Sequence, residues 1–427
     1  MKILEILPAI FAALLLALSS QAAVPYVFVI SVDGLWGTYL GRLFDPTNTH
    51  YLIPNFKRLR NEGASTLAAH IDNNNWETLP NHTSIVTARP RDNRDGLDGH
   101  GWLLNGTPTT TIHANKGSYV ASVFDVAHDN GLRTCMYANK SKFSLFDTFG
   151  SYTGGGSYNA VNGALDVTGP DNGRDKVNDS YISTALGGVV VDTFIARQKS
   201  PNPNNYAFIH INEPDAYGHS ADWGSATWYS NVVVVDTMIG RIFKLIEQDV
   251  PAMKDTAMII LTADHGNQDD PPTPADRYAV PVFVWGPGVS PGADLYALNA
   301  GRRRAASSYP MTTYAGMQPI RNAEVNNLAL QLLGLGPIPG SAFNYAQDLR
   351  IALPTPLITG IAPNGPGNFT ITGVASGSGQ VVLWKTTEPQ TPNWVAIGTN
   401  AVSPGVAFEF SVPQGSDGAA FFRLEGR

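Results

Sequence analysis

Short apolar runs alternate with amphipathic helical patterns along most of this chain, and this alternation constrains the fold more than any other feature. The predicted strands are residues 24–32, 134–137, 206–211, 257–262 and 280–284. Residues 226–248 and 322–333 carry apolar side chains at helical spacing. Because strands that alternate with helices form a mostly parallel sheet flanked by those helices, the sequence predicts an α/β fold.

The pattern changes after residue 340. Leu-Pro-Thr-Pro at 353–356 predicts a linker, and the region beyond it alternates polar and apolar residues in short runs. The strands predicted there are residues 369–374, 381–386, 407–412 and 419–424. We therefore predict one domain at residues 24–352 and a small antiparallel, β-sandwich-like domain at 353–427.

The N-terminus has the features of a secretory signal. Lys2 precedes an apolar run at 6–18, and small residues follow at Ser20 and Ala22. The apolar run is short for a membrane span. We predict that residues 1–23 are a signal peptide, that no transmembrane anchor is left after its cleavage, and that the mature protein is periplasmic or secreted.

The charge gives no indication of a nucleic-acid-binding surface, and the cysteine content rules out an intramolecular disulfide. The formal net charge of -7 is modest, and apart from the arginines at 302–304 no basic run suggests a nucleic-acid-binding surface. Cys135 is the single cysteine in 427 residues, so an intramolecular disulfide is impossible. Its apolar neighbours Leu132 and Met136 favour a buried thiol in a core strand over a catalytic one.

Acidic and histidine side chains follow three of the predicted strands directly. These side chains are Asp33, Asp215, His219, Asp264 and His265. Because parallel strands end at the same edge of a sheet, the three carboxylates are expected to converge and to repel one another unless a cation neutralises them. Mixed Asp and His ligation suits zinc best, although manganese and iron accept the same groups. The sequence therefore predicts a divalent metal site.

Four motifs together resemble those of the alkaline phosphatase superfamily. They are Ser-Val-Asp-Gly at 31–34, Thr-Leu-Pro-Asn-His at 78–82, Asp-Ala-Tyr-Gly-His at 215–219 and Asp-His-Gly at 264–266. The second motif is similar to that of the nucleotide pyrophosphatase/phosphodiesterase (type I phosphodiesterase) branch. The resemblance covers residues 24–341, including 319–322 and 333–335 near its end. It implies an alkaline-phosphatase-like sheet flanked by helices and excludes the C-terminal β-region.

This resemblance implies that Thr78 is the nucleophile, held at a helix N-terminus. Thr78 would bind one metal ion together with Asp33, Asp264 and His265. Coordination to a divalent cation stabilises an alkoxide that a free hydroxyl does not form at neutral pH. The implied reaction is hydrolysis of phosphodiester or pyrophosphate bonds through a phospho-threonine intermediate.

The resemblance also implies a second metal ion and a phosphate-binding amide. Asp215 and His219 would hold the second ion, so the expected cofactors are two divalent metal ions, with Zn²⁺ favoured. Asn105, at the end of the Gly-rich stretch 99–105, matches the position of an amide donor to a phosphate oxygen.

One departure from the family pattern concerns the second metal ion. The family completes that site with a further histidine, and no histidine follows His265 in this sequence. Asp269 and Asp270 are the nearest candidate substitutes, because a carboxylate can replace an imidazole on zinc. The sequence leaves open whether the second ion binds tightly, binds only with substrate, or is absent.

Alternative functions differ in what they require at position 78. A sulfatase needs an oxidisable Cys or Ser there and a phosphoglycerate-mutase-like enzyme needs Ser, so Thr78 argues against both. A phosphomonoesterase, a phosphonate hydrolase and a secreted binding protein with a decayed metal site stay open. Lys140 and Lys142 follow a predicted strand and are within reach of a phosphate, but solvated lysines are the favoured interpretation.

The expected partner is a small phosphate-ester substrate, with a nucleotide among the candidates. Aromatic residues near the motifs are suited to stacking on a base: Trp36, Trp76, Trp102 and Tyr217. Packing explains each of them equally well, so the sequence does not identify the leaving group.

Overall fold

An eight-stranded sheet organises residues 23–351 in the computed structural model of the chain. The structure describes residues 23–72, 76–147, 176–267, 275–304, 313–353, 356–365, 368–375, 379–387, 393–403, 406–413 and 420–426. Within these ranges the chain divides into two compact units, residues 23–351 and the C-terminal residues from 352 onward.

The strands of the large sheet are β1 Tyr26–Val32, β2 Ala64–His70, β3 Thr134–Ala138, β4 Asp179–Ile182, β5 Tyr206–Ile211, β6 Ala257–Thr262, β7 Ala279–Trp285 and β8 Ala293–Asp294. Their order across the sheet is β4-β3-β5-β1-β6-β7-β2-β8. β7 pairs antiparallel with both β6 and β2, and the other neighbouring pairs are parallel. The sheet is therefore mostly parallel, as predicted.

The central strands are apolar because both of their faces are covered. β5 and β6 are buried at every residue, and β1 is buried at all residues but its first. Strands covered on both sides appear as continuous apolar runs, which explains why the five predicted strands are found. β2 and β4, which contain small or polar residues and were not predicted, lie away from this centre.

Helices cover the two faces of the sheet. They are α1 Gly37–Leu43, α2 Pro54–Glu62, α3 Thr78–Thr87, α4 Ile112–Lys116, α5 Val123–Asp129, α6 Gly187–Gln198, α7 Glu213–Ala221, α8 Ala226–Lys244, α9 Ala275–Tyr278, α10 Leu295–Leu298 and α11 Val325–Leu332. α8 continues as a π-helical turn to Asp249, and a 3₁₀ turn at Asn322–Glu324 leads into α11. The two helices predicted from apolar spacing are thus present.

Cys135 lies in β3 and is buried, as predicted. Burial raises the pKa of its thiol well above the usual value. A thiol that stays protonated at neutral pH is a poor nucleophile, so Cys135 contributes packing.

The C-terminal unit contains two three-stranded antiparallel sheets, ordered β13-β10-β9 and β12-β11-β14. Its strands are β9 Pro356–Pro363, β10 Asn368–Ala375, β11 Gly379–Thr386, β12 Val395–Val402, β13 Phe408–Pro413 and β14 Phe421–Gly426. Side chains from both sheets, among them Ile371, Leu383 and Phe410, form one apolar core. This small β-region agrees with the predicted fold class.

Two predictions about the chain ends stay predictions. The proposed signal peptide lies outside the described residues except for Ala23, and export is therefore untested. Among the described helices, none combines the length and the apolarity needed to cross a membrane.

Candidate active site

The carboxyl ends of three adjacent strands bring the predicted acidic residues together. Asp33 follows β1, Asp215 lies in the first turn of α7 after β5, and Asp264 follows β6. The backbone N–H of Asp33 donates to Ile211 in β5 (2.8 Å), and the N–H of Asp215 donates to the Asp33 carbonyl (3.1 Å). Main-chain hydrogen bonds therefore fix the spacing between Asp33 and Asp215.

Asp33, Asp264 and His265 form a group that fits a metal ion. Each is buried, and one ligand atom from each lies within 4.8 Å of the others. Asp33 Oδ1 and Asp264 Oδ2 are buried oxygens without a hydrogen-bond partner among the described residues. The Nδ1–H of His265 donates to the Gly266 carbonyl (2.9 Å), which leaves Nε2 facing the two carboxylates at 3.3 Å. Two buried carboxylate oxygens and an imidazole nitrogen that faces them are the kind of ligands that a divalent cation binds.

The charges of this group favour a cation. Burial and the Asp33 carboxylate raise the pKa of Asp264 to about 8. Burial opposes protonation of His265, yet Asp264 and Asp33 raise its pKa to about 9. Burial also opposes ionisation of Asp33, but the Lys140 ammonium, the hydrogen bond with His210 and the nearby His265 imidazole hold its pKa well below the usual range. These shifts follow from carboxylates crowded at one buried point, where either protons or a cation must neutralise their charge.

Gly34 makes the turn that brings Asp33 toward Asp264. Its φ is +64°, and its N–H donates to Asp264 Oδ1 (3.1 Å). A Cβ at this position would lie 2.7 Å from the Trp223 ring and 3.0 Å from the Asp215 Cα. The turn therefore requires glycine both for its backbone conformation and for space.

Gly34→Ala is expected to lower the thermal unfolding midpoint and the metal content together. The left-handed conformation costs a non-glycine residue about 1–2 kcal/mol, and the overlap with Trp223 adds to that cost. Gly96→Ala is the matched control, since Gly96 has φ +81° but no heavy atom within 4 Å of its Cβ position among the described residues. Equal losses in both variants, measured by circular dichroism and elemental analysis, would contradict the packing argument.

Thr78 is the first residue of α3 and is 2% exposed. Pro80 is accommodated in this first turn because the N–H that it lacks would have no helical partner there. One turn further, the Nδ1–H of His82 donates to the Thr78 carbonyl (2.7 Å) and lies 3.5 Å from Asp264 Oδ2. His82 therefore connects the start of α3 to the metal-ligand group.

Asn105 lies at the N-terminus of α3. Its side-chain oxygen accepts hydrogen bonds from the Leu79 N–H (3.0 Å) and from Lys142 Nζ (2.9 Å). The structure thus brings Asn105 next to Thr78, where the family resemblance places an amide donor. Burial and the nearby Lys140 charge lower the pKa of Lys142.

Lys140 corrects one interpretation from the sequence. Its side chain is only 16% exposed, and Nζ lies 2.7 Å from Asp33 Oδ2 and 2.6 Å from Asp215 Oδ2. Nζ also donates to Thr78 Oγ1 at 3.4 Å. The expectation of a solvated lysine is wrong because the converging carboxylates attract the ammonium into the site.

His210 and Asn322 are two further residues that the sequence did not indicate. His210, within β5, places Nε2 2.9 Å from Asp33 Oδ2 and is fully buried. Asn322 donates to the Ala263 carbonyl (2.9 Å) and so supports the strand end that carries Asp264. Both orient metal-ligand residues from neighbouring elements, a relation that has no spacing signature in the sequence.

The residues predicted for a second metal ion are close together but few. His219 follows Asp215 by one turn of α7, with Nε2 3.4 Å from Asp215 Oδ1. His219 is 43% exposed, whereas Asp215 is buried. Within the described ranges, no third ligand joins them in a group of metal-binding geometry. Asp269 and Asp270, the proposed substitutes, lie outside the described residues.

The aromatic residues near the motifs differ in accessibility. Trp36 and Trp102 are fully buried, so their role is packing. Trp76 is partly buried and lies under the Arg277 guanidinium. Trp223, which the sequence analysis did not select, lies against His219 and His265, with ring centroids 5.7 and 6.2 Å away.

The mostly parallel eight-stranded sheet, flanked by helices and with acidic and histidine side chains at its carboxyl edge, is an alkaline-phosphatase-like fold. Residues 27–280, more than half of the chain, match the family described as type I phosphodiesterase / nucleotide pyrophosphatase. The chain belongs to this family. The predicted family, and a hydrolase as the predicted class of enzyme, are confirmed.

Sequence relatives match over shorter segments. A 95-residue segment is 37% identical to 2,3-bisphosphoglycerate-independent phosphoglycerate mutase of Halobacterium salinarum and covers 22% of this chain and 17% of that protein. A 122-residue segment is 28% identical to phosphopentomutase of Mycoplasmopsis pulmonis and covers 26% of this chain and 28% of that protein. The matched segments span less than a third of each curated relative.

A solved structure supports the fold. A protein of glycosaminoglycan metabolism from Bacteroides thetaiotaomicron is similar to this chain with a TM-score of 0.51 at 12% identity. The likeness covers 89% of this chain and 90% of that one. At this level of identity the likeness concerns the fold and not the reaction.

Proposed function

We propose that the protein hydrolyses phosphodiester or pyrophosphate bonds of a small phosphate ester, with Thr78 as the nucleophile. The observation that carries this proposal is the buried group of Asp33, Asp264 and His265 beside the N-terminus of α3. Thr78 stands at that N-terminus, and the helix dipole there favours an anion. The proposed substrates include nucleotides.

The proposed reaction has two balanced steps. The Thr78 oxygen forms a bond to phosphorus while the bond to the leaving oxygen breaks, and the leaving group takes up a proton. Water then attacks the phospho-threonine, the bond between Oγ1 and phosphorus breaks, and Thr78 regains its proton. A divalent cation, when bound by Asp33, Asp264 and His265, would lower the pKa of the Thr78 hydroxyl and neutralise phosphate charge. Because the Leu79 N–H and Lys142 hold the Asn105 side-chain oxygen, the Asn105 NH₂ group would be the donor to the phosphate at the helix N-terminus.

A second candidate function is favoured by the lysines. Lys140 contacts Thr78, and Lys142 contacts Asn105, so two ammonium groups border the proposed phosphate position. A dianionic phosphomonoester, or a phosphonate with a second anionic group, would gain from both charges. Phosphomonoesterase or phosphonate hydrolase activity is therefore the alternative to test beside the diesterase.

The test compares three chromogenic substrates on the purified protein: bis-p-nitrophenyl phosphate, p-nitrophenyl phosphate and a p-nitrophenyl phosphonate. We expect diester hydrolysis that a chelator abolishes and that Zn²⁺ or Mn²⁺ alone restores. Faster hydrolysis of the monoester or the phosphonate would favour the second candidate. A metal-loaded protein that turns over none of them would favour a binding protein with a decayed site.

A further inference from the structure

Among the described residues, the ligands available to the predicted second metal ion are too few to hold it. Catalytic zinc sites use three protein ligands, and the described residues offer Asp215 and His219. The Lys140 ammonium contacts Asp215 Oδ2 at 2.6 Å, while Asp215 Oδ1 lies 3.4 Å from His219 Nε2 and 3.7 Å from His265 Nε2. No histidine follows His265 in the sequence. A positive charge nevertheless stands at this point, on Lys140.

Hydrogen bonds between neighbouring elements hold Lys140 at the site. It follows β3, two strands from β1 in the sheet. The neighbouring Asn139 accepts a hydrogen bond from the Asn212 N–H (2.8 Å) and donates to Glu213 Oε2 (3.2 Å). These two residues begin the segment that carries Asp215, so the loop with Lys140 and the start of α7 are joined directly.

We propose that the Lys140 ammonium takes the place of a second metal ion, so that the site works with one divalent cation and one lysine. Its Nζ contacts Asp33, Asp215 and Thr78. An ammonium has three donors, and the one directed at Thr78 is placed to contact an oxygen of the phosphoryl group there. This role in phosphoryl transfer rests on the proposed function, whereas the number of metal ions does not.

The charge balance of the site supports one metal ion. Asp33, Asp215 and Asp264 are buried and, when ionised, carry three negative charges. One divalent cation and one ammonium neutralise these charges completely. A second divalent cation on Asp215 would lie beside the ammonium on the same carboxylate, where like charges repel in a buried setting.

The decisive measurement is the metal content of the full-length protein. This measurement does not depend on the protein being enzymatically active. The protein is stripped with a chelator, loaded with Zn²⁺ alone or Mn²⁺ alone, freed of excess metal and analysed by mass spectrometry. We expect one ion per chain and a single tight phase in calorimetric titration. Any other stoichiometry, two ions above all, overturns the proposal whether or not the protein hydrolyses a phosphate ester.

Substitution of Lys140 tests its charge. Lys140→Met keeps an unbranched stem and removes the ammonium, and we expect it to bind one metal ion and to lose about 10²-fold in turnover, the scale of a lost transition-state donor. Lys199→Met is the control, since Lys199 is 44% exposed and pairs with Asp249 outside the site. Turnover by Lys140→Met within threefold of wild type would overturn the proposal.

A rescue experiment guards against misfolding of the first variant. Added ethylammonium is expected to raise the turnover of Lys140→Ala at least tenfold. Tetramethylammonium, which has no N–H donor, is expected to leave that turnover unchanged. Equal effects of the two cations would overturn the assignment of a donated hydrogen bond. Rescue by ethylammonium alone would show that the activity requires a positive charge with an N–H donor at the position of the Lys140 ammonium.

Discussion

Thr78→Ala is expected to lose hydrolysis of the preferred substrate by at least about 10³-fold, the scale of a removed nucleophile. The loss should fall on turnover, because the Thr78 hydroxyl, which begins α3 and contacts Lys140, is the proposed attacking group. Steady-state kinetics and trapping of a phosphorylated enzyme after a rapid acid quench are the measurements. Phosphate should be found on wild-type Thr78 and be absent from the variant.

Thr87→Ala is the matched control for this substitution. Thr87 is in the same helix and equally buried, and its hydroxyl donates to the Thr83 carbonyl (2.7 Å). It makes no contact with the metal-ligand group. We expect wild-type turnover with a small loss of stability. A comparable loss of turnover in Thr87→Ala would mean that the helix, not the hydroxyl at position 78, determines activity.

Asp264→Asn is expected to abolish metal binding and, with it, metal-dependent turnover. Removing a residue that hydrogen-bonds to a metal ligand lowers metal affinity roughly 10–100-fold. Removing the charge of a ligand itself should therefore lower the affinity by more than about 10²-fold. The amide keeps the size of the side chain and removes its negative charge. Metal content after dialysis and the affinity for Zn²⁺ from competition with a chromogenic chelator are the measurements.

Asp125→Asn separates loss of a ligand from loss of structure. Asp125 is buried in the first turn of α5, where it accepts from the Ser122 N–H (2.7 Å) and from Tyr119. This substitution weakens a helix cap at a cost of about 1 kcal/mol and leaves the metal-ligand group alone. Unchanged metal affinity is expected. If Asp125→Asn lost as much affinity as Asp264→Asn, general destabilisation would explain both.

The predictable part of the site follows from one physical rule. The runs before Asp33, Asp215 and Asp264 are apolar at nearly every residue because those strands are covered on both faces. Parallel strands end at a common edge, so the sequence alone was enough to expect these carboxylates together. The fold family was predictable on a different ground, the resemblance of the four motifs to those of the alkaline phosphatase superfamily.

Lys140 shows where the sequence analysis was incomplete. It follows a predicted strand just as Asp33 does, so the same rule applied to it. The usual preference of lysine for solvent led to the wrong expectation, because it takes no account of the position of Lys140 at the sheet edge. His210 is different: it lies inside a buried strand, and only the register of β5 against β1 aligns it with Asp33. Register across a sheet is a tertiary property that periodicity does not encode.

The direction of β7 was also beyond the sequence analysis. Its residues form an apolar run like those of β5 and β6, yet it pairs antiparallel with β6. An apolar run specifies burial and carries no information on strand direction. The short β2 and β4 were missed because small and polar residues weaken the pattern on which strand prediction depends.

The hydrogen bonds between the strand ends have a consequence for the order of folding. The contacts that assemble the site join residues 177 and 230 positions apart in the chain. Loops of that length close slowly, and their pairings form late. A chain with an incomplete sheet therefore lacks the ligand geometry altogether. We therefore expect metal uptake to follow folding, so that uptake measured over time would report when the central strands have joined.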